Sequence, residues 1–262
     1  MSNKLNIIIV WYNEEKNLPK CFGSIKNFSD DIELNVIYCD QSSIDNSVKI
    51  AKDFWINIRN HPKYGMAEFS RERVVNEELK NWDWILILDA DNWITRKLAR
   101  EISKVIDDNL CDVGLLPINF HFMNVKTSTN KEPRLFKKGA VKLQNIPHNG
   151  LIIQSDKIRL LKNELINENL NDSWCELKNL LEKLNRYTTI EVDKVDNMSF
   201  LKILYWMFIK PIIWFFGFWI RWWYFFKWIP WRILAFHNAA YEFFRYAKYY
   251  EKLKSKNLKT NK

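Results

Sequence analysis

The chain has only four cysteines, Cys21, Cys39, Cys111 and Cys175, and no two stand as Cys-x-x-Cys or at another metal-ligand spacing. That leaves no cysteine-built metal motif and fits a reducing, cytosolic setting. The amino terminus lacks a basic stretch followed by a long apolar run. A strand-like segment, Leu5 to Val10, begins within the first residues, so a cleaved signal peptide is not expected. There is no internal repeat, and low complexity is confined to the Lys/Asn-rich tail, Lys252 to Lys262. Between Asn197 and Tyr241 acids are missing altogether, although that stretch holds five bases and 18 aromatics, seven of them Trp.

The missing acids divide the chain. Residues 1–196 carry 28 Lys and Arg against 29 Asp and Glu, whereas residues 197–262 carry 12 against two, so the formal charge of +9 lies in the last quarter. At 262 residues the chain can hold one large domain with an appendage. The expected division is 1–110, 111–196 and a basic, aromatic-rich segment 197–262.

The first hundred residues alternate strand and helix signals. Strands are expected at Leu5–Trp11, Leu34–Cys39, Phe54–Ile58 and Trp84–Leu88, and helices over Glu14–Asn27, Asp45–Phe54, Met66–Lys80 and from Thr95 to about Asp108. Parallel strands need such crossovers, so an α/β fold follows, with a mostly parallel sheet and helices on both faces. Strand-like pieces then occur at Val113–Phe122, Arg134–Lys138 and Val141–Leu143, and helical spacing returns at Asp156–Ile166 and Ser173–Leu184.

The run Trp84-Ile85-Leu86-Ile87-Leu88 delivers two carboxylates, Asp89 and Asp91, with one alanine between them. A short continuous apolar run reads as a strand buried on both faces, and open α/β sheets bind ligands at the carboxyl ends of such strands. Two acids there repel unless a cation lies between them and the substrate. Mg²⁺ or Mn²⁺ uses few carboxylates plus substrate phosphates. The alternative is a helix start at which Asp91 or Asn92 merely caps.

Three strand ends fall on one sheet edge: Val10-Trp11-Tyr12-Asn13-Glu14-Glu15, Cys39-Asp40-Gln41-Ser42-Ser43-Ile44-Asp45-Asn46-Ser47 and Asp89-Ala90-Asp91. In this order and spacing the set resembles family 2 glycosyltransferases of the GT-A fold, which transfer a sugar from a nucleotide diphosphate donor with inversion. The resemblance covers residues 5 to about 187. It implies that Val10, Trp11 and Glu14 line the nucleotide cleft, that Asp40 accepts from the base, in many relatives a uracil, and that Arg73, 16 residues before Asp89, faces the donor. It further implies that Asp89 touches ribose or metal and that Asp91 coordinates a divalent cation, Mn²⁺ or Mg²⁺, on the diphosphate.

Pro133-Arg134-Leu135-Phe136-Lys137-Lys138-Gly139, Pro147-His148 and Lys183-Leu184-Asn185-Arg186-Tyr187 resemble the acceptor side of the lipopolysaccharide core glycosyltransferase subgroup. Where that subgroup has His-Glu, this chain has His148-Asn149, and where a later His-Tyr is usual it has Asn171-Asp172. His148, Glu132 and Asp172 are therefore the candidate general bases.

A helix that spans a bilayer needs about 20 largely apolar residues, and the longest uncharged run in the carboxyl-terminal segment is Pro211–Ile220. Pro211 and Pro230 are expected to break the helix. Trp-rich amphipathic helices with interspersed cations suit an anionic membrane surface, as in-plane helices or as a tilted span from Leu201 to Phe226. After Pro230, the helical repeat Phe236, Ala240, Phe243, Phe244, Ala247 is expected to pack on the catalytic body or the membrane. The expected activity is metal-dependent transfer from a nucleotide sugar, with UDP favoured, to a lipid-linked glycan on the cytoplasmic face of the membrane. No nucleic acid is expected as partner. The alternatives are a polyprenyl phosphate acceptor or a non-catalytic membrane-surface binding protein.

Overall fold

Strand β1 (Lys4–Trp11) lies between β2 (Glu33–Asp40) and β4 (Trp84–Asp89), parallel to both, and β3 (Asn57–Asn60) extends the parallel set beyond β2. These strands belong to a computed structural model that describes all residues except 1–3, 65, 123–124, 145–150, 169–176, 194–197, 222–228 and 261–262. Helices α1 (Leu18–Ile25), α2 (Ser47–Asp53) and α3 (Ala67–Glu78) are the crossovers, and α4 (Arg96–Asp107) follows the short β5 (Asn92–Trp93). Residues 1–171 and 172–262 form two compact units.

The continuous apolar runs are explained by cover on both sides. Side chains alternate across a strand, so Ile7, Ile9, Leu86 and Leu88 enter one core with Leu18 and Phe22 of α1 and Leu98 and Ile102 of α4. Ile8, Val10, Ile85 and Ile87 enter the other with Val74 and Val75 of α3. Thr95 caps α4 by accepting from the Leu98 N–H at 3.1 Å, the cap expected of a threonine at that position. The third strand begins later than Phe54, because Phe54 ends α2 and packs on Phe22 with ring centroids 5.6 Å apart, and Trp55 turns the chain at φ 58°.

In the second half of this unit β6 (Val113–Phe122) and β7 (Val125–Lys137) form a long antiparallel hairpin, and β7 pairs antiparallel with β4. Strands β8 (Val141–Leu143) and β9 (Leu151–Ile153) make a separate pair. The helical spacing read at Asp156–Ile166 is not a helix. It contains β10 (Ile158–Leu160) and β11 (Leu165–Asn167), both parallel to β6. The Glu101 carboxylate accepts the Lys162 and Asn163 N–H groups, each at 2.8 Å, and thereby holds a turn where a helix would have continued. The main sheet is thus mixed, in the order β3-β2-β1-β4-β7-β6-β11-β5.

The second unit is helical: α5 (Leu177–Asp193), α6 (Phe200–Leu204), a π turn Tyr205–Ile209, α7 (Lys210–Arg221) and α8 (Ile229–Thr260). Helix α5, placed by its sequence in the acceptor-side half, packs on α8. Pro211 does not break the helix as expected. The wider π turn lies just before it, where a proline would otherwise deprive an α-helix of a hydrogen bond and crowd the preceding turn. Pro230 sits in the first turn of α8, where no N–H is needed. The window Phe200–Gly217 has mean hydropathy 1.4 and is long and apolar enough to cross a membrane, and 6% of it is buried.

In α8 the apolar repeat faces outward more than expected. Phe236, Phe243 and Phe244 are exposed, whereas Ala235, Tyr246 and Tyr249 are buried. The cation Lys210 is drawn inward: its Nζ pairs with Glu242 at 3.3 Å and lies 3.7 Å from the Trp206 ring centroid. Arg245 joins Glu242 at 2.7 Å to Glu191 at 3.2 Å.

Candidate active site

The register Trp11↔Asp40 and Val10↔Asp89 brings the ends of β2 and β4 level on either side of β1. Two loops extend from this edge and are laced together. The Asn13 N–H donates to Ser43 Oγ at 2.9 Å, the Glu14 N–H to Ser47 Oγ at 2.8 Å, and the Ile44 N–H to Asn13 Oδ1 at 2.9 Å. Asn13 and Ser42 both take the left-handed conformation, at φ 56° and 62°. Such conformations cost energy outside glycine and cluster at functional sites.

The buried Asp40 carboxylate accepts from the Ser43 N–H at 3.0 Å and from the Tyr38 hydroxyl at 3.3 Å. Glu14 is also buried and accepts from the Asn17 side-chain amide. Trp11 is half-buried. The Val10 side chain does not line a cleft: strand alternation sends it into the core beside Val74, fully buried.

Asp89 is held from both sides. Arg71 of α3 pairs with Oδ1, and Arg134 of β7 donates to Oδ2 at 3.0 Å. Burial alone would raise this carboxyl's pKa, but Arg134 and Arg71 overcome that and hold it down at about 2. Arg134 also donates from Nε to Glu132 Oε2 at 2.9 Å, with Nη2 ion-paired to the same oxygen at 2.8 Å. The antiparallel pairing Leu86↔Leu135 brings the neighbouring β7 residues, Glu132 and Arg134 at an irregularity of the hairpin register, toward the end of β4.

Arg73, expected to face the donor, is not the arginine that reaches Asp89. Arg73 lies on the exposed side of α3 and pairs with Glu77 four residues on, at 3.1 Å. Ala67, Ser70, Arg71, Val74 and Val75 form the buried stripe at helical spacing, so a helix-face reading of the sequence would have found Arg71.

Asp91 has a different environment. Its Oδ1 accepts from the side-chain amides of Asn167 at 2.8 Å and Asn92 at 3.2 Å, which are neutral donors. A cation approaching Asp89 would meet two guanidinium groups, whereas the two amides on Asp91 are neutral donors that orient its carboxylate. Of the two, Asp91 fits a metal ligand. No three His, Cys, Asp or Glu cluster to hold an ion among the described residues, so the fit is one protein carboxylate plus phosphates of a substrate. His148 and Asp172 lie outside the described residues.

Residues 6–170 match the family described as Glycosyl transferase family 2. The chain belongs to that family. It is 25% identical over 233 residues to an uncharacterized glycosyltransferase of Rickettsia conorii, covering 80% of this chain and 79% of that one. Over 97 residues it is 32% identical to the SPbeta prophage-derived glycosyltransferase SunS of Bacillus subtilis, covering 37% and 22%. Among solved structures it resembles S. aureus TarS 1–349 in complex with UDP-GlcNAc, at TM-score 0.50 and 14% identity over 96% of this chain and 92% of that one. It also resembles the mannosyltransferase PcManGT from Pyrobaculum calidifontis in complex with GDP-Man and Mn²⁺, at TM-score 0.51 and 11% identity over 94% and 86%. At these identities the likeness shows the fold: this family 2 glycosyltransferase has the α/β GT-A architecture.

Proposed function

We propose that the chain transfers a sugar, with inversion, from a nucleoside diphosphate donor, uridine favoured, to a hydroxyl of a lipid-anchored glycan in cell-envelope glycolipid synthesis. The observation that carries this reading is the single edge formed by the ends of β1, β2 and β4, where Asp40 and Asp89 flank one strand and Asp91 follows. The preference for uridine is supported by the UDP-GlcNAc complex of TarS. The acceptor-side resemblance of Pro133 to Gly139 supports a glycan acceptor, and the exposed Leu201, Phe208, Ile212, Ile213 and Phe216 support attachment to a membrane where that acceptor is anchored.

In this reading the acceptor oxygen attacks the anomeric carbon from the face opposite the diphosphate. The glycosidic C–O bond breaks with its electron pair going to the departing β-phosphate oxygen. Asp91 would hold Mn²⁺ or Mg²⁺, which neutralises charge building on that leaving group. Glu132 is the candidate base that the described residues bring beside Asp89. Its Oε2 takes both Arg134 bonds, and its Oε1 is left to receive the acceptor proton. A polyprenyl phosphate acceptor would call on Lys138, but the Lys138 ammonium donates to the Asn76 carbonyl at 3.2 Å and to that of Leu79.

The test is to incubate the full chain with a panel of UDP- and GDP-sugars, Mn²⁺ and bacterial lipid extract. Labelled sugar should appear in glycolipid with inverted anomeric configuration. Absence of both transfer and donor hydrolysis with every sugar would overturn the reading.

A further inference from the structure

Arg134 carries five N–H donors, and they can be accounted for one by one. The Nε hydrogen goes to Glu132 at 2.9 Å and Nη2 donates to Asp89 at 3.0 Å, while Nη2 also lies 2.8 Å from Glu132 Oε2 as an ion pair. The remaining pair, on Nη1, is buried and has no partner among the described residues. The side chain as a whole is 9% exposed. An unpaired guanidinium N–H shielded from water is costly, and native proteins leave one where a ligand or an ordered water completes it.

We propose that Arg134 is a donor-contacting residue whose Nη1 donates to a non-bridging oxygen of the nucleoside diphosphate, supplementing any cation held by Asp91. This rests on the donor class named above and assigns a part of it to one side chain. The setting favours an anion. Asp89 and Glu132 engage Nε and Nη2 and fix the planar group, so the two Nη1 hydrogens are left to donate to phosphate oxygens. The site lies at the carboxyl end of β4, the edge that carries Asp91. Because Nη1 is covered in this structure, the groups over it must shift as the diphosphate enters. Lysine at this position would keep one positive charge but could not span Asp89, Glu132 and a phosphate together.

The experiment is calorimetric titration of the full chain with uridine, UMP and UDP in EDTA, repeated with Arg134→Lys. In the wild type, UDP should bind more tightly than uridine even without metal. In Arg134→Lys that advantage should shrink by roughly 10- to 100-fold, the range of a charge-assisted hydrogen bond, while uridine affinity stays the same and reports an intact fold. Unchanged UDP preference in the variant would overturn the proposal and leave Nη1 to a water. The wild-type series decides independently of any variant: UDP no tighter than uridine in EDTA, but tighter with Mn²⁺, overturns the role of Arg134 and keeps the donor class. No nucleotide binding under either condition overturns both.

Discussion

Arg134 donates to Asp89 at 3.0 Å across 45 residues of sequence, and this bond joins the acceptor-side hairpin to the central parallel strand. With Arg71 on the other oxygen, Asp89 acts as a structural hub as well as an edge carboxylate.

Replacing Asp89 with Ala would leave two guanidinium groups, 9% and 10% exposed, without their shared anion. Breaking a buried pair from one side costs about 3–5 kcal/mol. Urea denaturation should show a loss of that order for Asp89→Ala, whereas Arg73→Ala, which removes an exposed pair, should cost under about 1 kcal/mol. Equal losses would contradict the hub.

Asp91→Asn keeps the shape and removes the charge. Affinity for UDP in Mn²⁺ should fall by more than the roughly 10 to 100-fold typical of groups that only support a ligand. Thermal stability should fall less than in Asp89→Ala, because the two amides that donate to Asp91 can also donate to the carbonyl oxygen of an asparagine. Metal-dependent binding that survives Asp91→Asn would move the cation elsewhere.

Glu132→Gln and His148→Ala separate two of the three base candidates. If Glu132 takes the acceptor proton, Glu132→Gln should lower kcat by about 10² to 10⁴ with donor affinity within a few-fold of wild type. His148→Ala should then retain most of the rate. The reverse pattern would identify the imidazole, and single-turnover kinetics with a hydroxyl acceptor would read it.

Attachment to membranes should resist salt. Lys210 is engaged with Glu242 and Trp206 inside the helical unit, and exposed apolar side chains of Phe200–Gly217 are available to make the contact. Burial of apolar surface is not screened by ions as charge pairing is. Cosedimentation with anionic liposomes should persist in about 0.5 M NaCl, a salt level at which the screening length falls to a few ångströms. It should be lost in a Phe208→Ser, Ile212→Ser, Phe216→Ser variant. Release by salt alone would assign attachment to the basic residues.

The strands of the first half were readable because both of their faces are covered. A run such as Ile7-Ile8-Ile9 has no other economical home, and helices at crossover spacing supply the cover. Asp156–Ile166 was misread because Ile158, Leu161 and Leu165 fit a helical stripe as well as strand edges. The outcome rested on Glu101, far away in sequence. Arg71 was missed for a related reason. The family resemblance singled out Arg73, but which arginine reaches the carboxylate depends on the face of α3 that meets the sheet. The tie between Glu132, Arg134 and Asp89 depends on hairpin register, which no local pattern reveals.

The pairing of β1 with neighbours on both sides also limits how this protein can change. A residue inserted within β1 would exchange the two cores' side chains, moving Ile8 and Val10 to the place of Ile7 and Ile9. It would also shift Val10, Trp11 and the loop that follows them against both Asp40 and Asp89 by about one strand step of roughly 3.3 Å. The placement of the β1 end between the two carboxylates is therefore as intolerant of insertions and deletions as the core itself. Variation in donor choice has to come through substitutions at the strand ends and length changes in the loops beyond them, where the chain can lengthen without moving the strands.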